Sequence, residues 1–112
     1  MIEVTVRDYL EEKLGVPVYM KFPPRPPESF LVIQKTGSSK RNYLCTATMA
    51  IQSVNTRLYA AAQLNEQVKA AMESIRDDLD EIVSASLNSD YDYTDPSMKR
   101  YKYQAVFVVV HY

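Results

Sequence analysis

The residues able to do chemistry are few and widely spaced. The chain has one histidine, His111, and one cysteine, Cys45. A histidine base needs an orienting carboxylate or a nucleophile within reach, and the sequence around His111 offers neither. It reads as a half-buried strand histidine. Cys45 has no neighbour in sequence to lower a thiol pKa and reads as a small core residue. Asp90-x-Asp92-x-x-Asp95 has the texture of a calcium loop, but such a loop needs glycine at its sixth position and glutamate at its twelfth. Those positions hold Asp95 and Tyr101, so the segment reads as a polar hairpin tip. The Asp77-Asp78-Leu79-Asp80-Glu81 cluster reads as a solvated turn. With only Gly15 and Gly37, no glycine-rich phosphate loop can form. These residues predict no enzyme, no metal site and no cofactor.

Tyrosine and proline carry more information. Five of nine tyrosines lie between Tyr91 and Tyr112. With Lys99, Arg100 and Lys102 beside them they could form a base-stacking platform for single-stranded nucleic acid. The structural alternative pairs Tyr91, Tyr93, Tyr101 and Tyr103 across one hairpin, and tyrosine also favours protein interfaces. Charge favours the second and third uses: 13 Lys+Arg against 14 Asp+Glu give −1, no bulk attraction for nucleic acid or an anionic membrane. Four of six prolines fall in Phe22-Pro-Pro-Arg-Pro-Pro-Glu28. Pro23 and Pro26 have Pro-x-x-Pro spacing, but a stiff, extended connector between core elements is the simpler reading.

The elements that hold these residues follow from periodicity. At 112 residues and 46% hydrophobic content, the chain fits one domain spanning 1–112. No apolar run approaches the ~20 residues of a membrane helix. The first residues lack an apolar signal-peptide core, and a lone cysteine excludes an internal disulfide framework; both predict an intracellular chain. A helix is expected over 5–14, capped by Thr5 and stopped by Gly15 and Pro17. A short edge strand follows within 16–21, then a strand over 30–35, a polar loop over 36–42, and a strand over 43–53 with Leu44, Thr46, Thr48 and Ala50 on one face. Ala61, Leu64, Val68, Ala71, Met72 and Ile75 recur at helical spacing and place a helix over 56–75, capped by Asn55 or Thr56; Asp77 or Asp78 begins a new turn, since acids oppose the dipole at a helix C-terminus. Two strands close the chain, 82–91 with Val83, Ala85, Leu87 and Tyr91 inward, and 100–111. The expected fold is α+β, a mostly antiparallel sheet of four to five strands with two helices on one face, in the order α-β-β-β-α-β-β.

The last strand is unusual. Tyr101, Tyr103, Ala105, Phe107 and Val109 form one face; the other begins with Lys102 and Gln104 and turns apolar at Val106, Val108 and Val110. A second apolar face lies either under a helix or against another subunit. Lys40 and Arg41 sit at one hairpin tip, Asp90, Asp92 and Asp95 with Lys99 and Arg100 at the other. These ten residues are the candidate interface. Opposite charges at distinct sites suit a head-to-tail contact between copies.

The order of features resembles a known family. An N-terminal helix leads into Phe22-Pro-Pro-Arg-Pro-Pro-Glu-Ser-Phe30 and Leu31-Val-Ile-Gln-Lys-Thr-Gly37. Then come Ala50-Ile-Gln-Ser53, the alanine-rich Leu58-Tyr-Ala-Ala-Ala-Gln-Leu64, Asn88-Ser-Asp-Tyr-Asp-Tyr-Thr-Asp95 and Arg100-Tyr-Lys-Tyr-Gln-Ala-Val-Phe107. Nearly the whole chain is similar, in element order and texture, to the tail-terminator or head–tail joining minor tail proteins of long-tailed phages and prophages of Gram-positive bacteria. Neck (head–tail connector) and tail-completion proteins share its size and composition. The resemblance implies a virion protein made in the host cytoplasm. It implies a ring, usually hexameric, that caps the tail tube and docks to the head–neck connector, with DNA passing through its lumen.

Overall fold

The computed structural model describes residues 1–112. Helix α1 (Ile2–Leu14) is followed by strands β1 (Val18–Tyr19), β2 (Ser29–Arg41) and β3 (Leu44–Asn55), helix α2 (Leu58–Asp78), and strands β4 (Ile82–Asp92) and β5 (Tyr101–His111). The strands form one sheet in the order β1-β2-β3-β5-β4. The fold class and the element order agree with the sequence reading. The sheet is mixed, because β1 pairs parallel to β2, while the other pairs, including β4 with β5, are antiparallel. Strands of this length draw the molecule out to 44 × 24 × 23 Å.

Both helices lie on the same face. Val6 and Leu10 of α1, and Leu64, Val68, Met72 and Ile75 of α2, pack on Leu31, Ile33, Met49, Ile51, Ala105, Phe107 and Val109 of the sheet. The alanines at 61 and 71 are buried, and their small side chains let α2 lie close to the strands. Gly15 ends α1 in the left-handed region at φ 68°, its N–H donating to the Glu11 carbonyl, as a C-cap glycine does.

Several local details differ from the sequence reading. Thr5 does not cap α1, which begins at Ile2; its hydroxyl donates to the Met1 carbonyl at 3.2 Å from inside the first turn. Asn55 does not cap α2 by position, since Arg57 stands there, although the Asn55 side-chain oxygen accepts the Arg57 N–H at 3.1 Å. The segment 36–42 is not a loop: after a bulge between Lys35 and Gly37, β2 continues to Arg41, and the turn is Asn42-Tyr43 alone. Asn42 takes φ 59°, which asparagine tolerates better than most residues. Two further bulges in β4, between Ile82 and Ser84 and between Leu87 and Ser89, reset its alternation. Tyr91 therefore shares the face of Gln104 rather than the core, and Val83, left unpaired at the first bulge, is exposed; Leu87 keeps the expected helix side, opposite Phe107, but is exposed because β4 is the sheet edge.

The acids at 77 and 78 belong to α2 and start no new turn. What overrides the dipole is α1. The Tyr9 hydroxyl donates to Asp78 Oδ2 at 2.6 Å, and Lys13 Nζ sits 3.3 Å from the same oxygen. A cation and a donor at this helix end offset the unfavourable carboxylate. The hydrogen bond from Tyr9, then Lys13, holds the Asp78 carboxyl below its ordinary range. Burial, then the bond to Asp78, pushes the Tyr9 phenol well above its ordinary value.

The signs predict a pH profile. The depressed carboxyl stabilises the fold above the ordinary carboxylate pKa, and that contribution disappears as pH falls through the depressed value. The raised phenol stabilises below the ordinary tyrosine pKa of about 10, and its contribution disappears as pH rises further. Tyr9→Phe is expected to melt a few degrees lower at neutral pH and to show flatter acid and alkaline limbs in thermal melts across pH. Limbs parallel to the wild type would show that the contact carries no linkage.

Candidate functional site

The face of the sheet opposite the helices is the candidate site. Residues paired directly across strands share a face. Val106 thus lies between Ala50 and Ser89, Val108 between Thr48 and Ser86, and Val110 between Thr46 and Ser84. Their neighbours Ala105, Phe107 and Val109 point into the helix-covered core, so the three valines point away from both helices. That excludes the reading in which a helix of the same chain covers them. The three valines are half-buried, as are Thr46 and Thr48, their cover being each other and the pleat of the sheet. β-branched side chains are stiff at χ1, so this row of Val and Thr presents a flat surface with few rotamers to freeze on contact.

One end of the same face is closed. Phe30, Val32 and Val54 form a small second core under Tyr19 and Phe22. Both rings meet Phe30 edge-on, with centroids at 5.7 and 5.3 Å. The proline-rich segment is the connector that brings Phe22 there. Arg100 fastens it: Nη2 donates to the Pro26 carbonyl at 3.1 Å, Nη1 donates to the Pro27 carbonyl, and the guanidinium lies 5.8 Å from the Phe30 centroid. Proline leaves carbonyls without a ladder, and an arginine fork is a fitting donor for two of them. Arg100 is thus committed within its own chain. A row of side-chain hydrogen bonds separates the closed and open ends. Gln52 Nε2 donates to Gln104 Oε1 at 3.1 Å, and Gln104 Nε2 donates to Tyr91 Oη at 2.6 Å.

The charged candidates divide into engaged and free. The register puts the Lys40–Arg41 tip at the Cys45–His111 end and the connection after Asp92 at the Asn55–Tyr101 end, so the two tips lie at opposite ends of the long axis. Lys40 and Arg41 are exposed, with no ion-pair partner. Lys99 is exposed in the connection. Asp90 Oδ2 is bridged by Lys69 of α2 at 3.1 Å. Asp92 Oδ1 accepts the Thr94 amide at 2.9 Å. Asp95 Oδ1 accepts the Ser97 amide and hydroxyl at 3.0 and 2.8 Å, bonds that lower its carboxyl pKa. The three acids therefore shape their own hairpin as well as charging that end.

The tyrosines form no single platform. Tyr91 opposes Gln104 on the open face, while Tyr103 opposes Asp92 and shares the helix face with Tyr101. Tyr91 and Tyr93 meet edge-on at 5.9 Å, and Lys102 Nζ sits 5.5 Å from the Tyr93 centroid. Neither a base-stacking row nor a four-tyrosine hairpin ladder results. No group of three His, Cys, Asp or Glu side chains is placed to hold a metal ion. Two residues passed over in the sequence stand out: Asn65, buried in α2, and Lys69, which ties α2 to β4. Asn65 lies four residues after Ala61 and three before Val68, so a polar residue inside the apolar stripe was the available signal. No protein-family model matches the chain, and no curated protein matches its sequence.

Arg100→Ala is expected to free the connector while leaving the helix-covered core intact. Trypsin cleavage at Lys21–Phe22 should quicken, and the fold should lose roughly 1.5–3 kcal/mol in denaturant melts, the range for a lost charge-assisted hydrogen bond. Arg100→Lys should rescue little, because one ammonium cannot span two carbonyls as the fork does. Unchanged cleavage in Arg100→Ala would contradict the clamp.

Proposed function

We propose that this chain is a structural virion protein of a tailed phage or prophage, forming a ring that terminates the tail tube and joins it to the head. The observation that carries the reading is the second apolar face of β5: Val106, Val108 and Val110, turned away from both helices and bordered by Ala50, Thr46 and Thr48. The resemblance in element order supplies the kind of assembly, a ring usually of six copies, with the tail tube protein on one side and the head–neck connector on the other. DNA would pass through the lumen without sequence-specific contact, consistent with a formal charge of −1.

Physical chemistry supports a head-to-tail arrangement. A ring requires that one patch of a subunit meet a different patch of the next. The free cations Lys40 and Arg41 and the acids Asp90, Asp92 and Asp95 stand at opposite ends of the long axis. Such rim charges set encounter rate and register, while apolar burial supplies most of the affinity. The host cytoplasm is the place of assembly and the virion tail or neck the destination.

Val108→Asp is the sharpest variant. Burying a valine is worth about 1.5–3 kcal/mol, and burying an unpaired carboxylate costs several kcal/mol more. Since each 1.4 kcal/mol is about tenfold, self-association should weaken by at least about a hundredfold. The variant should keep its helical circular dichroism, because position 108 faces away from the helices. A folded Val108→Asp protein with wild-type sedimentation would contradict the interface, and an unfolded one would show that this face stabilises the single chain rather than a contact between copies. Lys40→Glu with Arg41→Glu should slow assembly and reduce its salt dependence, measured by light scattering after dilution from high salt.

A further inference from the structure

The sheet has two open edges. One is β4, outermost along its whole length. The other is the far part of β2. β1 pairs only with Leu31 and Val32, so no strand of the chain flanks β2 over residues 34–41. That stretch is exposed throughout. On both edges, every second residue turns its N–H and C=O away from the sheet with no ladder partner. An open edge is a template for a further strand, and its charges and bulges decide which strand it accepts.

The two edges carry opposite charge. β2 has Lys35, Lys40 and Arg41 and no acid; the run from Asp80 to Asp92 has Asp80, Glu81, Asp90 and Asp92 and no base. Pairing β2 with a second β2, or β4 with a second β4, brings like charges together, whereas β2 against β4 matches opposite ones. Strand direction suits that pairing. β2 and β5 run one way, β3 and β4 the other, so a second copy in the same orientation brings its β2 to β4 antiparallel, the more stable ladder. The heights match as well. Followed across the sheet, Gln34 shares a row with Ser89, Ser39 with Ser84, and Lys40 with Ile82. The part of β2 that β1 leaves open is therefore level with residues 82–89 of β4. The bulge after Lys35 and the one between Leu87 and Ser89 fall in neighbouring rows, so both strands bend at nearly the same height. Arg41 stands one step beyond Lys40. Glu81 stands one step beyond Ile82, its carbonyl accepting the Tyr112 N–H at 3.0 Å. Arg41, Asp80 and Glu81 have no ion-pair partner in the chain.

We propose that the β4 edge of one subunit receives residues 34–41 of β2 from a second copy of this chain, continuing one sheet across the subunit boundary with Lys40 and Arg41 against Asp80 and Glu81. This rests on the ring reading and specifies its head-to-tail contact. The two edges are different surfaces of the chain, as a ring requires. The main-chain ladder fixes spacing and register, and the charged tip selects β4 over another β2. The seam lies one strand away from Val106, Val108 and Val110, so the neighbour that pairs with β4 also stands beside the valine row.

Crosslinking of the full-length chain tests this. In a Cys45→Ser background, Ser39→Cys chains mixed with Ser84→Cys chains should form a disulfide between the two kinds. Within one chain these positions lie three strand spacings apart, about 14 Å, too far for a disulfide. In sedimentation, Arg41→Glu and Glu81→Arg should each raise the concentration for half-assembly about tenfold, and the two reversals combined should restore most of the loss. Backbone amides of residues 34–41 and 82–89 should exchange about tenfold more slowly in the assembled protein than in the dissociated chain, as ladder amides do. A wild-type ring without the mixed disulfide, without rescue by the paired reversal, or with both edges exchanging as in the dissociated chain would overturn the edge contact while leaving the ring standing. Ser39→Cys chains that crosslink only to one another would show β2 pairing with itself and overturn it too. A wild-type chain that stays monomeric would overturn both.

Discussion

Placing α1 and α2 on the same face of the sheet leaves β5 with two apolar faces and only one layer to cover them. Ala105, Phe107 and Val109 are buried under the helices, while Val106, Val108 and Val110 point the other way. A sheet in an α+β domain can keep one face wet if that face alternates to polar residues. Here the alternation holds at Lys102 and Gln104 and then stops. Every other feature of the open face is arranged around that surplus. The bordering residues are small or β-branched, and the bulges of β4 bring Ser84, Ser86 and Ser89 alongside the valines.

The chain closes the other half of this face itself. Phe22 and Tyr19 lie on Phe30, and Arg100 pins the proline-rich connector by its carbonyls. This segment has few N–H groups to offer a sheet, so a side-chain donor takes the place of a ladder. On the opposite side, Tyr9 and Lys13 of α1 hold the last turn of α2 through Asp78. Both devices anchor the end of a segment with polar side chains from a distant part of the sequence. Together they fix the two layers and leave the valine patch and the Lys40–Arg41 tip as the surfaces with no partner inside the chain.

Much of the fold was legible because its signals are periodic. The α2 stripe from Ala61 to Ile75 and the two-faced β5 follow from spacing alone, and the Gly15 stop from residue type. What escaped the sequence depended on long-range partners. Asp78 looked like a helix breaker because Tyr9, which reverses its effect, lies 69 residues away. The 36–42 segment looked like a loop because its residues are polar and include Gly37; in fact a bulge lets a strand pass through it. Tyr91 was read as inward because bulges are invisible to an alternation count. Arg100 was grouped with the free charges because nothing near it in sequence indicates the Pro26 and Pro27 carbonyls. Asn65 passed as one polar residue in a good helix, and only its burial without a partner singles it out.

The account turns on whether the open face is covered in solution by another copy of the chain. Sedimentation equilibrium of the wild-type protein over a wide concentration range measures this directly. A closed ring predicts a single species at a fixed multiple of the 12.9 kDa chain, six copies if the family resemblance holds, with no growth beyond it. A single-chain mass at every concentration, together with failure to bind purified tail tubes, would contradict the account.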